Sequence, residues 1–477
     1  MRLLFVYHTI DNEPHGVLRI SSLLRQHGHE TKMVVVTEED ALEVAKQWQP
    51  DVLGFSVYTG TQKTYLALNR RLRDSIPGVL SVFGGPHPTF FQEIVEQDGV
   101  DGVCVGEGEF ATLELMNALR DGADFTPIAN WHWKTSSGEI VRNGLRPLLT
   151  SGELDRLPFA DRDLIYDAHR ASRRHLIRPF ITGRGCPYNC SFCFNKAYTS
   201  LYEGRGARTR RRSVDNVLAE IVDVRDRYGL SFVMFYDDTF ILNRRWLEEF
   251  AAKYPTTVGL PWWAQARPEL VTEERVSLLK QAGCLSISFG LETGNDELRT
   301  LVLNRDMTRQ QIIGAGSVLR EHGIAFSTNN MVGLPEGGLP ADLETLELNI
   351  ACKPGYANCF IYQPYPKTAL GELARQEGLI DSFDDLSGSV TEDTPLRFEP
   401  AEKRQIENLQ KLFSVTVEFP WLLPLVRRAI RLPPNRFFWM VYKLWKGYAL
   451  KQRIFAYRMS AREMFINLLS YMRISTQ

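Results

Sequence analysis

Three cysteines, Cys186, Cys190 and Cys193, crowd into eight residues in the run Gly183-Arg-Gly-Cys186-Pro-Tyr-Asn-Cys190-Ser-Phe-Cys193. Three thiolates at C-x3-C-x2-C spacing can hold three irons of a four-iron four-sulfur cubane and leave the fourth iron open to another ligand. Structural zinc is the rival, but it normally takes four ligands, and no histidine follows at finger spacing. Gly183 and Gly185 would let the backbone wrap closely around the inorganic sulfides. The remaining cysteines, Cys104, Cys284, Cys352 and Cys359, are scattered, and apolar packing is the ordinary use of such residues. Seven cysteines, an odd number with three together, do not make a secreted disulfide framework and suit a reducing cytoplasm.

Such a loop needs rigid elements behind it. Strand-like runs at 180–182, 232–236, 262–266, 286–289, 325–331 and 359–362 alternate with helical stretches, which predicts a partial (β/α)6 barrel. Chemistry in barrels sits on loops at the carboxyl ends of the strands, and the cysteine loop follows the first of them. Later strand ends bring up Asp238, then Ser288 and Glu292, then Asn330. On residue type alone Asp238 could equally cap a following helix, and Glu292 could be ordinary turn chemistry.

Ahead of the barrel, apolar runs at 3–7, 33–36, 52–57, 80–83 and 103–105 alternate with helical stretches beginning near Gly16, Glu39, Gln62, Phe90 and Glu109. The fold class expected is α/β: a doubly wound, Rossmann-like domain over 1–125, a hairpin and linker over 126–177, the barrel over 178–380, and a mainly helical region over 381–477. A ligand of the first domain should meet the loops at 56–59, 84–89 and 106–109. Gly84, Gly85, Gly106 and Gly108 would admit a bulky group to the backbone. No G-x-G-x-x-G follows the first strand, which disfavours a dinucleotide.

The cysteine loop resembles the CxxxCxΦC signature of the radical S-adenosylmethionine superfamily, over about 178–379. The resemblance implies that the cofactor's amine and carboxylate chelate the open iron, and that reduction cleaves its sulfonium to a 5′-deoxyadenosyl radical. It implies adenine packing for Phe192, an amine contact for Asp238 in Phe235-Tyr-Asp-Asp238-Thr-Phe, a ribose and carboxylate region at Ser288 and Glu292, and an adenine region at Asn329, Asn330 and Met331-Val-Gly-Leu-Pro-Glu336. Here the chain departs from the common Gly-x-Pro-Gly-Glu order, because Gly337 follows Glu336.

The first domain resembles the cobalamin-binding module that precedes many such barrels, on Asp51-Val-Leu-Gly-Phe-Ser-Val, Phe83-Gly-Gly-Pro-His-Pro-Thr89 and Val105-Gly-Glu-Gly-Glu109. This implies a corrinoid site at Ser56, Thr59, Gly84, Gly85, Gly106 and Glu107. Asp11-Asn-Glu-Pro-His15-Gly16 has the residues of an Asp-x-His-x-x-Gly ligand motif without its spacing, so histidine ligation of cobalt is not expected.

The cofactors implied are thus a 4Fe-4S cluster, S-adenosylmethionine and cobalamin. The activity implied is methylation of an unactivated carbon in a lipid or other biosynthetic intermediate, with electrons from a donor such as flavodoxin or ferredoxin. A radical cyclase or C–C bond-forming enzyme is the alternative on the same scaffold. A tRNA methylthiotransferase would carry a second cluster on N-terminal cysteines, where this chain has Cys104 alone. A non-catalytic cobalamin sensor would leave the cluster loop without a purpose. No catalytic acid, base or hydrogen donor is assigned.

A formal net charge of −1 argues against nucleic acid as a partner. The charge is segregated, with 11 Lys or Arg against Glu463 alone over 419–477, a net +10 beside −11 for the rest. If 436–458 is helical, Arg436, Lys443, Lys446, Lys451, Arg453 and Arg458 fall within an arc of roughly 160°, shared with Trp439 and Leu450, and Phe437, Phe438, Val441, Leu444, Trp445, Tyr448 and Phe455 lie on the other side. That pattern suits either an anionic membrane surface or a helical cap on the barrel. The short apolar start of the chain reads as a strand rather than a signal peptide, and no window approaches the roughly 20 apolar residues of a membrane span. The expected location is cytoplasmic, with peripheral contact at the inner face of the membrane through 419–477.

Overall fold

The computed structural model describes residues 1–10, 13–383 and 390–457. Asp11 of the motif before His15, Arg458 of the basic arc, and the rest of the tail to 477 lie outside the described residues. The described residues divide into two compact units, Met1–His175 with Tyr202–Ala207, and Leu176–Leu201 with the chain from Arg208 to Tyr457.

The first unit is built on strands β1 (Arg2–Tyr7), β2 (Glu30–Val35), β3 (Val52–Ser56), β4 (Leu80–Gly84), β5 (Gly102–Cys104), β6 (Trp131–Lys134) and β7 (Ile140–Arg142). They lie in the order β2-β1-β3-β4-β5-β6-β7, the first five parallel and the last two antiparallel. Parallel strands covered on both faces read as continuous apolar runs, and Leu4, Val6, Val34, Val52, Leu53, Phe83 and Val103 are accordingly fully buried. The stretch 126–177 is more than a connector. Its hairpin turns at Gly138, whose φ is +84°, and extends the sheet, while its helix Arg162–Ala168 packs on β2.

In the second unit, β8 (Ile177–Phe180), β11 (Phe232–Phe235), β12 (Trp262–Ala266), β13 (Cys284–Glu292), β14 (Ala325–Val332) and β15 (Tyr356–Ile361) form one parallel sheet in sequence order. The first strand ends at Phe180, where the expected 180–182 begins, because the chain turns at Thr182 into a short antiparallel pair, β9 (Gly183–Arg184) with β10 (Arg210–Arg211). The strands β11 to β14 are each preceded by a helix with a side-chain cap: Ser213, Asn243, Thr272 and Thr308 each accept a backbone N–H at a helix start. Alternate strand residues, such as Val233, Phe235, Ala264, Ile287 and Phe289, join the core beneath these helices.

The C-terminal region is integral to this unit. Helix Pro400–Glu418 buries Ile406, Leu409 and Phe413 against β15 and helix Gly338–Cys352, and Gln410 donates to the Cys359 carbonyl at 3.0 Å. Helix Arg436–Ala449 passes into a wider π turn at Leu450–Ile454. Ala449 and Ile454 then pack with Phe232, Trp263 and Tyr356, so the chain plugs the amino-terminal end of the strands. The structural cap is therefore real, and it splits the apolar side of the expected helix: Phe438 is buried, whereas Phe437, Leu444 and Tyr448 are exposed. Among the described residues no helix is long and apolar enough to cross a membrane.

Candidate functional site

The cysteine loop is held in place by its neighbours in the fold. A Cβ on Gly183 would lie 2.8 Å from the Arg210 carbonyl oxygen, and one on Gly185, where φ is +82°, would lie 1.9 Å from that of Arg208. These glycines thus admit the crossing strand β10, a nearer cause than the wrapping of sulfides expected from sequence. The basic run 205–212 supplies the latch. Arg212 pairs with Glu220 at 2.5 Å, both buried, and Arg211 stacks 4.0 Å over Trp246.

Cys190 is buried, and its Sγ accepts from Arg267 at 3.3 Å, with Arg305 at 3.9 Å. Arg267 also lies 3.6 Å over the Tyr188 ring and pairs with Glu269 at 2.5 Å. The Cys193 Sγ accepts the Asn195 N–H at 3.4 Å. Burial pushes the Cys193 thiol up to about 11 and raises that of Cys186, and the negative charges of Asp238 and Cys190 nearby add to the rise in both. Thiolates in this pocket therefore need a compensating positive charge, which the two guanidinium groups provide beside Cys190 and which iron would supply when bound. Among the described residues no three His, Cys, Asp or Glu side chains converge on one ion position. In a cubane each thiolate takes a separate iron, so three cysteines on one loop need not converge on a single ion position. The loop fits the cubane.

Strand alternation decides what faces the open side of the sheet. Ser288 and Ser327 hydrogen-bond at 3.1 Å across β13 and β14, and Asn358 donates to Asn329 at 3.1 Å across β14 and β15. Between Gly290 and Glu292 the β13 register shifts, and Glu292 takes φ +67°, rare for a residue with a side chain. Its carboxylate folds over Gly290, where a Cβ would lie 2.0 Å from it, and pairs with Arg305 at 3.4 Å. Burial raises this carboxyl, against Arg305 and Arg267. Asp237 accepts from the Thr182 hydroxyl at 2.7 Å and ties the first two strands together. Asp238 is left accessible in a concave setting whose walls raise its carboxyl, opposed by Asn195. Phe192 packs with Leu303, Leu334, Tyr362 and Leu370 at the strand ends.

Cys186, Cys190, Cys193, Asp238, Ser288 and Glu292 are thus brought to the loop side of one sheet. Asn330 is not. It is fully buried on the helix-covered face, accepting from Asn349 at 2.7 Å and donating to the Asn358 carbonyl at 2.7 Å. Asn329 occupies the open face instead. Sequence reasoning missed Arg267 and Arg305. The first directly follows β12 with the parity of the open face and was findable, while the second follows an irregular π turn at Leu298–Val302 and had no signal.

In the first unit the order β2-β1-β3-β4-β5 puts the topological switch between β1 and β3, where ligands of such sheets bind. A Cβ on Gly85, at φ +96°, would lie about 3.0–3.1 Å from the Val57 backbone and the Ser56 hydroxyl, so the loops after β3 and β4 close together over a bare backbone floor. Gly84 faces Cys104 with room for a methyl group. Thr59 and His87 share a 3.1 Å hydrogen bond, and burial lowers the imidazole to about 4, which keeps this rim neutral. Thr89 accepts the Gly106 N–H at 3.0 Å. At Gly106, φ +80°, a Cβ would strike the Tyr202 hydroxyl at 1.7 Å, and Glu107 is engaged with the Leu149 N–H at 3.1 Å. His15 opens helix His15–Gln26. Gly106 admits the Tyr202 hydroxyl rather than a ligand, while the neutral, glycine-floored rim at Ser56, Thr59, Gly84 and Gly85 fits a large uncharged macrocycle such as a corrinoid.

The radical SAM superfamily matches the chain over residues 180–340, and the B12 binding domain over residues 3–116. An uncharacterized methyltransferase of Pyrococcus horikoshii is 27% identical over 379 residues, covering 77% of this chain and 79% of that protein. The anaerobic magnesium-protoporphyrin IX monomethyl ester cyclase of Rubrivivax gelatinosus is 24% identical over 392 residues, covering 77% and 68%. The solved structure of the cobalamin-dependent S-adenosylmethionine radical enzyme OxsB, with aqua-cobalamin bound, has a TM-score of 0.69 at 15% identity over 99% of this chain and 75% of that one, a likeness of fold.

Proposed function

Because the chain belongs to the cobalamin-binding radical S-adenosylmethionine enzymes, we propose that it methylates an unactivated carbon of a lipid or other biosynthetic intermediate. The observation that carries the reading is the presence, on one chain, of the cysteine loop at the strand ends of the second unit and the glycine-floored rim at the strand ends of the first. When bound, the cluster and its two cofactors supply an electron for sulfonium cleavage, a carbon-centred radical and a transferable methyl group.

The chain's own residues position and insulate. Cys186, Cys190 and Cys193 hold the cluster, and Arg267 and Arg305 offset the charge of its thiolates. Asp238 and Glu292 receive the amine and ribose side of S-adenosylmethionine, beside Ser288 and Phe192. Asn329 and Asn358 on the open face, which hydrogen-bond each other, offer polar groups to the substrate. Ser56, Thr59, Gly84, Gly85 and Glu107 line the corrinoid site. A flavodoxin- or ferredoxin-class donor delivers electrons in the cytoplasm.

The test is growth of cells with and without the gene on methionine carrying a deuterated methyl group, followed by mass spectrometry of lipid and polar extracts. A gene-dependent product heavier by one labelled methyl group is expected. Similarity to a ring-forming cyclase favours radical cyclisation as the second reading. A gene-dependent product with the carbon count of its precursor and no label would establish that reading and refute methylation.

A further inference from the structure

We propose that the outer face of the C-terminal helices docks on an anionic lipid bilayer. Among the described residues ten large apolar side chains are exposed, and eight of them are Phe419, Trp421, Leu425, Leu432, Phe437, Met440, Leu444 and Tyr448. At 100° per residue Phe437, Met440, Leu444 and Tyr448 share an arc of about 80° on helix Arg436–Ala449. The buried Phe438 and Ala449 point elsewhere, into the core. The stripe is therefore apolar surface left over after the cap has formed.

The stripe is continuous with its neighbours. Phe419 lies 6.4 Å from Trp421 and 5.6 Å from Trp445, and Trp445 lies 5.5 Å from Tyr448, between ring centres. A monomer seldom exposes so contiguous a patch without a partner.

Charge identifies the partner. From Phe419 to Tyr457 there are eight Lys or Arg and no Asp or Glu. Arg428, Arg431 and Arg436 are exposed, and on the helix Lys443, its Nζ 3.5 Å from the Trp439 ring, flanks the stripe with Arg436. A second copy of this chain would set two such basic faces together, and like charges at a shared face disfavour association. An anionic bilayer accepts both components: aromatic and aliphatic groups enter the headgroup boundary, and arginines face lipid phosphates. Binding is measured without turnover, so the proposal stands or falls apart from the methylation reading.

The experiment is co-sedimentation of the full-length protein with vesicles of phosphatidylcholine alone or mixed with phosphatidylglycerol. At low salt the mixed vesicles should bind more than tenfold better, at about fivefold per arginine engaged, and salt should close the gap. Phe437→Ser with Leu444→Ser should weaken binding by about tenfold or more at every salt concentration. Arg428→Glu, Arg431→Glu and Arg436→Glu together should bring binding on mixed vesicles down to the phosphatidylcholine level. All these side chains are exposed, so unchanged circular dichroism and melting are expected of both variants. The proposal is overturned if the wild-type protein ignores phosphatidylglycerol vesicles, or if the serine variant binds as wild type does. It is equally overturned if the wild-type protein is a dimer that the serine variant dissociates, which would assign the stripe to a second copy.

Discussion

Replacing Arg267 by Met removes a guanidinium that donates to the Cys190 sulfur at 3.3 Å and pairs with Glu269 at 2.5 Å. An electron entering the cluster is stabilised by that positive charge, so its loss must lower the midpoint potential. With a charge about 6 Å from the centre of a cubane and an effective dielectric of about 20, the interaction is about 2.8 kcal/mol. At about 59 mV per tenfold for one electron, this corresponds to roughly 120 mV. Glu269, its side chain only 16% exposed, loses its partner in the variant and leaves its carboxylate unpaired, so a fall of roughly 120 mV is expected. Arg267→Met with Glu269→Gln should lie closer to wild type. Arg267→Lys keeps the charge but not the flat contact with Tyr188, and should recover most of the potential. The assay is anaerobic redox titration of reconstituted protein followed by electron paramagnetic resonance, with iron content and melting temperature as controls. A midpoint for Arg267→Met within about 20 mV of wild type, at full iron content, would refute the electrostatic reasoning.

Cys186→Ala, Cys190→Ala or Cys193→Ala should abolish the visible iron–sulfur absorbance, whereas Cys284→Ala, Cys352→Ala and Cys359→Ala should keep it, since burial raises the thiols of all three. Gly106→Ala should destabilise the first unit by about 1–3 kcal/mol in urea denaturation, from its positive φ and the collision with Tyr202, and reduce corrinoid retention. Phe413→Ala, at a fully buried position in the cap, should cost about 3–5 kcal/mol in the same measurement; a loss below about 1 kcal/mol would show that the cap is not part of the barrel's core. His87 accepts a proton near pH 6.5 when unfolded but only near about 4 when folded. Its contribution is complete above pH 6.5 and is lost as the pH falls toward 4, so stability should decline across that window and His87→Asn should flatten the decline.

The cysteine spacing, the order of strands and helices, and the glycines at loop ends were legible in the sequence because each is a local pattern. Thiol spacing constrains one short loop, apolar periodicity marks an element, and Gly85 and Gly106 mark positive φ at turns. What the sequence could not decide is which face a residue takes or what reaches it from afar. Asn329 and Asn330 are adjacent and alike in chemistry, and only the register of β14 turns the first to the open face and the second toward Asn349. Arg267 and Arg305 come to Cys190 from 77 and 115 residues away; strand parity could turn Arg267 to the open face, but only the tertiary fold sets either guanidinium against that sulfur. The C-terminal helix makes the same point in its apolar residues. Its pattern showed one apolar side, but tertiary packing divided that side, burying Phe438 in the cap and leaving Phe437, Leu444 and Tyr448 exposed, because the surface a helix covers is set by the partners the fold brings to it.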